Sequence, residues 1–376
     1  MERMERMERM PTSHTLLAGP RGRRLALEFA LARESDRDDA SHRLDTAVMT
    51  AANAFEPSGT LISIGGGPGS APPPATPADV ARLLTQTKLD APSPRLLRTA
   101  LARSVDMARY WQEPDGEDQL AATPEVRKAL ARVAAHLAPA LREWASALRP
   151  DAQWLVQWDS PGIAAPRAIS PEELQTAGDR QVEAERRAHV ERPADPHANF
   201  SGEWWSMPAW LAPSTMGETL DRSPAGLWFV EDGMGWERAF VYRARIAPDA
   251  RVCEIDGPQA WAQLCRRFPV DVSASRRHDW FRATGRVGAW VVPDWAALAE
   301  HYDGVHLQAA AYLAAAGTAI PVDDDRASVI AGWNPDETYW LTSAVSFESP
   351  PHTWVSPGGQ GDAWRIQDDA LGDTPR

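Results

Sequence analysis

Tryptophan is spread so unevenly along this chain that one kind of architecture cannot serve both ends. Of the 17 tryptophans, all but Trp111 lie at or beyond Trp144. Before that point apolar residues recur every three or four positions, the period of a helix that buries one face. The strongest such stripe is Val126, Leu130, Val133, Leu137, Leu141, Trp144 and Leu148, with Arg127, Lys128, Arg132, Arg142 and Glu143 off it. A core-facing helix is therefore expected over Glu125 to Leu148. Further helices are expected around Leu25 to Leu31, over Ala78 to Leu84 behind Pro77, and over Leu96 to Trp111. Beyond the stripe the pattern changes to short apolar runs between Pro and Gly, which read as strands mixed with short helices. The expected fold class is α+β, an N-terminal helical bundle followed by a Trp-rich domain of mixed strands and helices.

At 376 residues the chain is long enough for two cores. The expected organisation is a disordered leader at 1–15, a helical domain at 16–150, a connecting segment at 151–199, an α+β domain at 200–347 and a loosely ordered acidic tail at 348–376. The leader opens with a triple Met-Glu-Arg repeat that has no apolar face to dock. Thr60 to Ile64 reads as a short strand before the Gly65-Gly66-Gly67-Pro68-Gly69 run, but no Lys-Ser/Thr follows it, so a linker outweighs a phosphate loop. In the connecting segment Gln153 to Asp159 reads as a strand, and Ser170-Pro171-Glu172-Glu173 as the start of a helix running toward Val190. Further on, strands are expected at Gly226 to Val230, Ala239 to Ile246, Arg251 to Ile255, Ala289 to Val292, Gly304 to Leu307 and Thr338 to Leu341. The second and third are read as a hairpin turning at Pro248-Asp249-Ala250, with Phe240, Tyr242 and Ile246 on one face. Helices are expected at Gln259 to Phe268 and from Pro293 to about His301.

A net charge of −13 argues against general nucleic-acid binding through phosphate neutralisation. Cys253 and Cys265 make no disulfide framework and have no zinc-type spacing, so reduced thiols, no metal and a cytoplasmic location are expected. No run reaches the roughly 18 to 20 apolar residues of a membrane-spanning helix. No GxSxG elbow or HExxH motif is present, which lowers the hydrolase and metalloenzyme readings. Paired carboxylates for glycoside chemistry remain open among Glu231, Asp232, Asp303 and Glu337.

The densest mixture of polar chemistry and aromatics lies between Ser275 and Leu341. It holds Arg276-Arg277-His278-Asp279-Trp280, then Tyr302-Asp303-Gly304-Val305-His306, then Trp333 through Trp340. In order of features, Ser201 to Leu341 resembles the NAD-using ADP-ribosyltransferase-like fold. The carrying residues are Ser214 and Thr215, the hairpin with Pro248 to Val252 followed by Ile255-Asp256, the Tyr302-Asp303-Gly304-Val305 strand, and a late strand entered by Glu337. The chain departs from that family in lacking a clear early Arg or His on a strand and a clean Ser-Thr-Ser or Glu-x-Glu/Gln-x-Glu motif.

What the resemblance implies is an NAD-dependent ADP-ribosyltransferase or NAD-glycohydrolase-like enzyme. In that reading Glu337 supplies the catalytic carboxylate and His278 binds a ribose hydroxyl. Arg276 or Arg277 holds the pyrophosphate, Trp280 or Trp333 stacks on a ring, and Trp228 and Tyr302 complete a nucleotide-sized pocket. The acceptor, a protein or a nucleic acid, is not specified. The competing class is a non-enzymatic macromolecular interaction protein that uses its Trp-rich domain as a binding surface. A pocket joining Glu337 to Arg276 or His278 favours the first, and an exposed aromatic cluster the second.

Overall fold

The structure is a computed structural model that describes residues 12–35, 42–56, 74–141, 147–208, 212–356 and 364–367. The Met-Glu-Arg repeat, the Thr60 to Ile64 run with its glycine loop, and Trp144 lie outside the described residues. The fold class is α+β.

The first part is helical: α1 (Ser13–Leu16), α2 (Pro20–Ser35), α3 (Arg43–Ala52), α4 (Pro77–Gln86), α5 (Pro94–Asp106), α6 (Gly116–Ala122) and α7 (Pro124–Leu141). Their starts follow from local chemistry. Thr76 and Asp79 form a capping box at α4 with Pro77 in the first turn, Ser93 caps α5 and Asp115 caps α6. In α7 the expected stripe is buried from Val126 to Leu141. Leu148 does not continue it but lies beyond the described helix, where its amide donates to Glu254 at 3.0 Å. Trp111 likewise falls past the end of α5.

The chain then gives β1 (Trp154–Trp158), α8 (Pro171–Glu191), β2 (Ser214–Met216), a 3-10 turn at Ala225–Leu227, β3 (Arg238–Ile246), β4 (Val252–Ile255), α9 (Pro258–Arg267), β5 (Pro269–Asp271) and α10 (Ser273–Thr284). It continues through β6 (Ala289–Pro293), α11 (Trp295–Ala299), β7 (Gly304–Leu307), α12 (Ala309–Ala315), β8 (Ile320–Pro321) and β9 (Arg326–Ser328). It closes with β10 (Glu337–Trp340), β11 (Val345–Phe347), β12 (His352–Val355) and β13 (Arg365–Ile366). Among the described residues these form a nine-stranded sheet ordered β13-β12-β3-β1-β2-β10-β7-β4, with β11 on β3, and a smaller sheet ordered β5-β6-β9-β8.

The register places Trp154, Met216, Glu337 and Leu307 in line on one face of the large sheet. Met216, Tyr339, Leu307 and Ile255 join the same hydrophobic cluster as Leu25, Phe29 and Leu130 of the helical part. A close approach helps to lock the two parts together: a Cβ on Gly19 would lie 2.4 Å from the Leu313 carbonyl oxygen, so only glycine lets α2 begin against α12. On the opposite face Trp340 donates to Thr215, which in turn donates to Gln153 at 2.7 Å.

Several sequence expectations are corrected here. Gly226 to Val230 is not a strand. Its start is the 3-10 turn, laid across the sheet so closely that a Cβ on Gly226 would stand 3.0 Å from Val156 and 3.3 Å from Met216. The β3–β4 hairpin does not form. Both edges of β3 are occupied, by β1 on one side and by β12 and β11 on the other, while β4 pairs in parallel with β7. Phe240 and Tyr242 do share a face, but the deeply buried face of β3 carries Ala239 and Val241. Within 348–376 the described residues include β12 and β13, which extend the sheet, and Trp364 packs 5.7 Å from Trp158. The apolar area that these tryptophans bury accounts for strands in a stretch rich in Pro and Gly.

Candidate functional site

Helix α8 begins where expected. Ser170 accepts from the Glu173 amide, Glu173 reaches back to the Ser170 amide, and Pro171 occupies the first turn. Although it has 21 residues, α8 buries only Leu174 and Ala188. Polar links hold it instead. Glu185 accepts from the amides of Ala274 at 2.6 Å and Ser275 at 2.7 Å, satisfying donors at the start of α10 that have no partner within that helix. Just past the end of α8, Arg192 donates to the Ser275 carbonyl at 2.5 Å.

Helix α10 carries the Arg276 to Trp280 run and ends at Gly285, which adopts the left-handed conformation with φ 71°. One side of α10 is laced to the loop at 201–206. Asp279 accepts from Ser201 at 2.8 Å and from the Gly202 amide at 3.0 Å, and Trp280 donates its indole N–H to the Trp204 carbonyl at 2.7 Å. Arg276 donates through Nη1 to Glu203 at 2.8 Å and through Nε to the Trp205 carbonyl at 3.2 Å.

Between α8, this loop and the β6–α11 junction lies a cavity of about 310 Å3. Its apolar wall includes Leu174, Met207, Val292, Pro293, Trp205 and Trp295. Its polar groups include Arg276, Glu203 and Asp294, of which Asp294 is engaged in capping α11 through the Ala297 amide. The Arg276 guanidinium is almost wholly buried, and burial lowers its pKa against the pull of Glu203. The buried indole N–H of Trp295 has no hydrogen-bond partner.

The residues expected from the sequence do not gather around this cavity. Arg276 lines it, but His278 and Glu337 do not. Residues two apart on a helix face opposite ways, so α10 cannot aim both Arg276 and His278 at one point. His278 is buried with its ring 5.3 Å from Phe200, neither nitrogen is partnered, and burial together with Arg277 lowers its pKa. Arg277 donates to the Pro193 carbonyl at 2.5 Å. Trp280 is core, packed edge-to-face on Trp290 at 5.2 Å. Trp228 has the Arg98 guanidinium 3.7 Å above its ring and donates to Ser223. Tyr302, half-buried, follows α11 and donates its amide to Leu298.

Glu337 and Trp333 are brought together in a second, enclosed region. Asn334 donates to Glu337 through its amide at 2.8 Å and its side chain at 3.1 Å. The Asn334 side-chain oxygen accepts from the amide of Glu231, whose carboxylate accepts from the Gly332 amide. Burial carries the Glu337 carboxyl up to about 7 and Glu231 well above the carboxylate range. Trp333, with no exposure, packs 4.9 Å from Tyr339 and 6.1 Å from Trp295 of the cavity wall. On the far face of the sheet His306 bridges Glu254 at 2.8 Å and Asp336 at 3.1 Å. Burial alone would lower its pKa, but the two carboxylates outweigh burial and raise it to about 9.

Arg276, Trp205 and Trp295 therefore meet at this cavity, whereas Glu337, the carboxylate expected for bond cleavage, lies elsewhere and is only 4% exposed. Sequence reasoning missed Glu203, Trp205, Trp295 and Gly178 as wall residues. The one visible signal was Gly178, a glycine in the middle of a strongly capped helix. Among the described residues no group of His, Cys, Asp and Glu is arranged to hold a metal, and no helix is long and apolar enough to cross a membrane. No family model, curated protein or solved structure matches this chain.

Proposed function

We propose that this chain is a small-molecule-binding protein whose ligand occupies the cavity beneath α8, and that anionic nucleotides of the NAD class are the first candidates. The observation that supports this is a buried guanidinium in the wall of a cavity of about 310 Å3, at the lower edge of the roughly 300–1,000 Å3 usual for ligand sites. Arg276 is also one of the two arginines, with Arg277, to which the resemblance assigns a pyrophosphate. Holding such a ligand is the work of Arg276 with the Trp205 and Trp295 rings. Bond cleavage at Glu337 does not fit, because that carboxyl is enclosed and does not line the cavity.

The test is thermal unfolding of the full chain with and without NAD. A ligand at a hundred times its dissociation constant stabilises the fold by about 2.7 kcal/mol, which reads as a rise in Tm of a few degrees. No shift at millimolar NAD removes NAD from the candidates. Release of nicotinamide by the wild-type protein, lost in Glu337→Gln, would restore the transferase reading. The interaction-protein reading rests on the outer end of the sheet, where Trp154, Trp158, Trp236 and Trp354 are only partly buried. It takes second place because those rings are used on one another, Trp158 and Trp236 stacking 4.7 Å apart.

A further inference from the structure

Two features of the cavity have no use in the packing of the fold. The first is Gly178. Glycine is among the least favourable residues inside a helix. Elsewhere the fold gives it a reason: a Cβ on Gly22 or Gly116 would stand 1.7 Å or 2.3 Å from a backbone carbonyl oxygen. A Cβ on Gly178 would meet no atom within 4 Å, and the residue is helical, so neither contact nor conformation demands glycine there. Gly178 lines the cavity one turn after Leu174, the buried anchor of α8, and a side chain at 178 would project from the same face. Its absence leaves the cavity mouth open.

The second feature is an excess of donors. Arg276 uses Nη1 on Glu203 and Nε on the Trp205 carbonyl, which leaves Nη2 without a hydrogen bond. Trp295 adds a buried indole N–H with no acceptor. A buried donor left unpaired, as at Trp295, is costly, and a ligand that brings an acceptor removes that cost. Among the described residues Glu203, whose side chain is 38% exposed, is the one carboxylate in an ion pair with Arg276, and that exposure leaves it room to move aside.

We infer that the cavity beneath α8 recognises a ring-bearing organic anion, a carboxylate or phosphate, entering past Gly178 and competing with Glu203 for the Arg276 guanidinium. The ring lies against the Trp205, Met207 and Trp295 wall, and the anionic group takes the spare donors. This deepens the small-molecule reading above and rests on it.

Titration calorimetry of the full chain with AMP and with adenosine tests the inference in three proteins: wild type, Gly178→Leu and Glu203→Gln. AMP is expected to bind the wild type at least tenfold more tightly than neutral adenosine. Gly178→Leu should weaken AMP at least tenfold while melting at or above the wild-type temperature, because the change improves the helix and its Cβ meets no atom within 4 Å. Glu203→Gln, at a partly exposed position that tolerates substitution, should bind AMP several-fold more tightly, because the competing charge is gone. AMP binding unchanged in Gly178→Leu would place the ligand outside this cavity and overturn the binding reading itself. A blocked Gly178→Leu together with adenosine equal to AMP, or with Glu203→Gln no tighter than wild type, would keep the site and overturn the anion assignment. Failure of AMP to bind the wild type at millimolar concentration would overturn that assignment as well.

Discussion

The cavity beneath α8 and the enclosed loop around Glu337 are made of the same kinds of residue, an ionisable group set among tryptophans, and Trp295 and Trp333 even touch across the boundary between them. They differ in how far the ionisable group is satisfied. Arg276 has one carboxylate, one carbonyl, a spare donor and open volume beside it. Glu337 has two donors from Asn334, a further hydrogen bond with Ser214 and only 4% exposure, and burial raises its pKa to about 7. Density of polar and aromatic residues is therefore not itself a sign of a ligand site. An unspent hydrogen-bonding group facing a void is a better one.

The coarsest way to break the comparison is to cut the chain. The division expected between 151 and 199 is tested by limited proteolysis, and a fragment beginning at Phe200 lacks α8, one wall of the cavity. It also lacks β1, the strand that joins β3 to β2, so it is expected to lose the large sheet as well as NAD binding, and a folded fragment that retains binding would move the ligand elsewhere. Next in size is Trp333→Ala. Trp333 is fully buried against Tyr339, Trp261 and Trp295, so denaturant melts should show a loss of about 3–5 kcal/mol. Because Trp295 leans on Trp333, ligand affinity at the cavity should fall with it.

The enclosed region should also declare itself through pH. A carboxyl whose folded pKa is raised to about 7 contributes stability that is complete below about 4.5 and is lost as pH rises through 7. Glu337→Gln should therefore unfold like the wild type near pH 5 and be more stable at pH 8, by at most about 3 kcal/mol. Equal stability at both pH values would show that the carboxyl is not buried as described. His306, raised to about 9, adds stability that is complete below about 6.5 and is lost as pH rises through 9. The wild type should lose stability across that upper interval, and His306→Asn should flatten the loss in a series of melts. The smallest effect belongs to the cavity mouth: Gly178→Ala should stabilise the protein by about 1 kcal/mol, since it removes a helix penalty and meets no neighbour.

Much of the local structure was written in adjacent residues. Ser170 with Glu173 announces α8, Thr76 with Asp79 announces α4, and the Val126 to Leu141 stripe declares the buried face of α7. Caps and helical periods act over three or four residues, so they survive in a linear reading. The partners of β3 could not be read in that way. Pro248 to Ala250 does turn the chain, with the Ala250 amide donating to Ala247, but β4 then leaves for β7 while β1, β11 and β12 take the edges of β3. Strand pairing is decided by which distant segments bury the most side-chain surface together, and no short window carries that sum.

The candidate site divides along the same line. Arg276 was visible as a cation in a run of unusual chemistry, and its neighbours Arg277 and His278 looked equally suited until the helical rotation of α10 turned them to other faces. Glu203, Met207 and Trp295 come to Arg276 from a loop and a helix far apart in sequence, and only their convergence makes a cavity. By itself the sequence determined which segments coil and which faces are apolar, because those depend on near neighbours. The tertiary structure alone decided that Arg276 keeps a free donor beside a void while Glu337 is sealed, because desolvation depends on everything packed around a group, wherever in the chain it comes from.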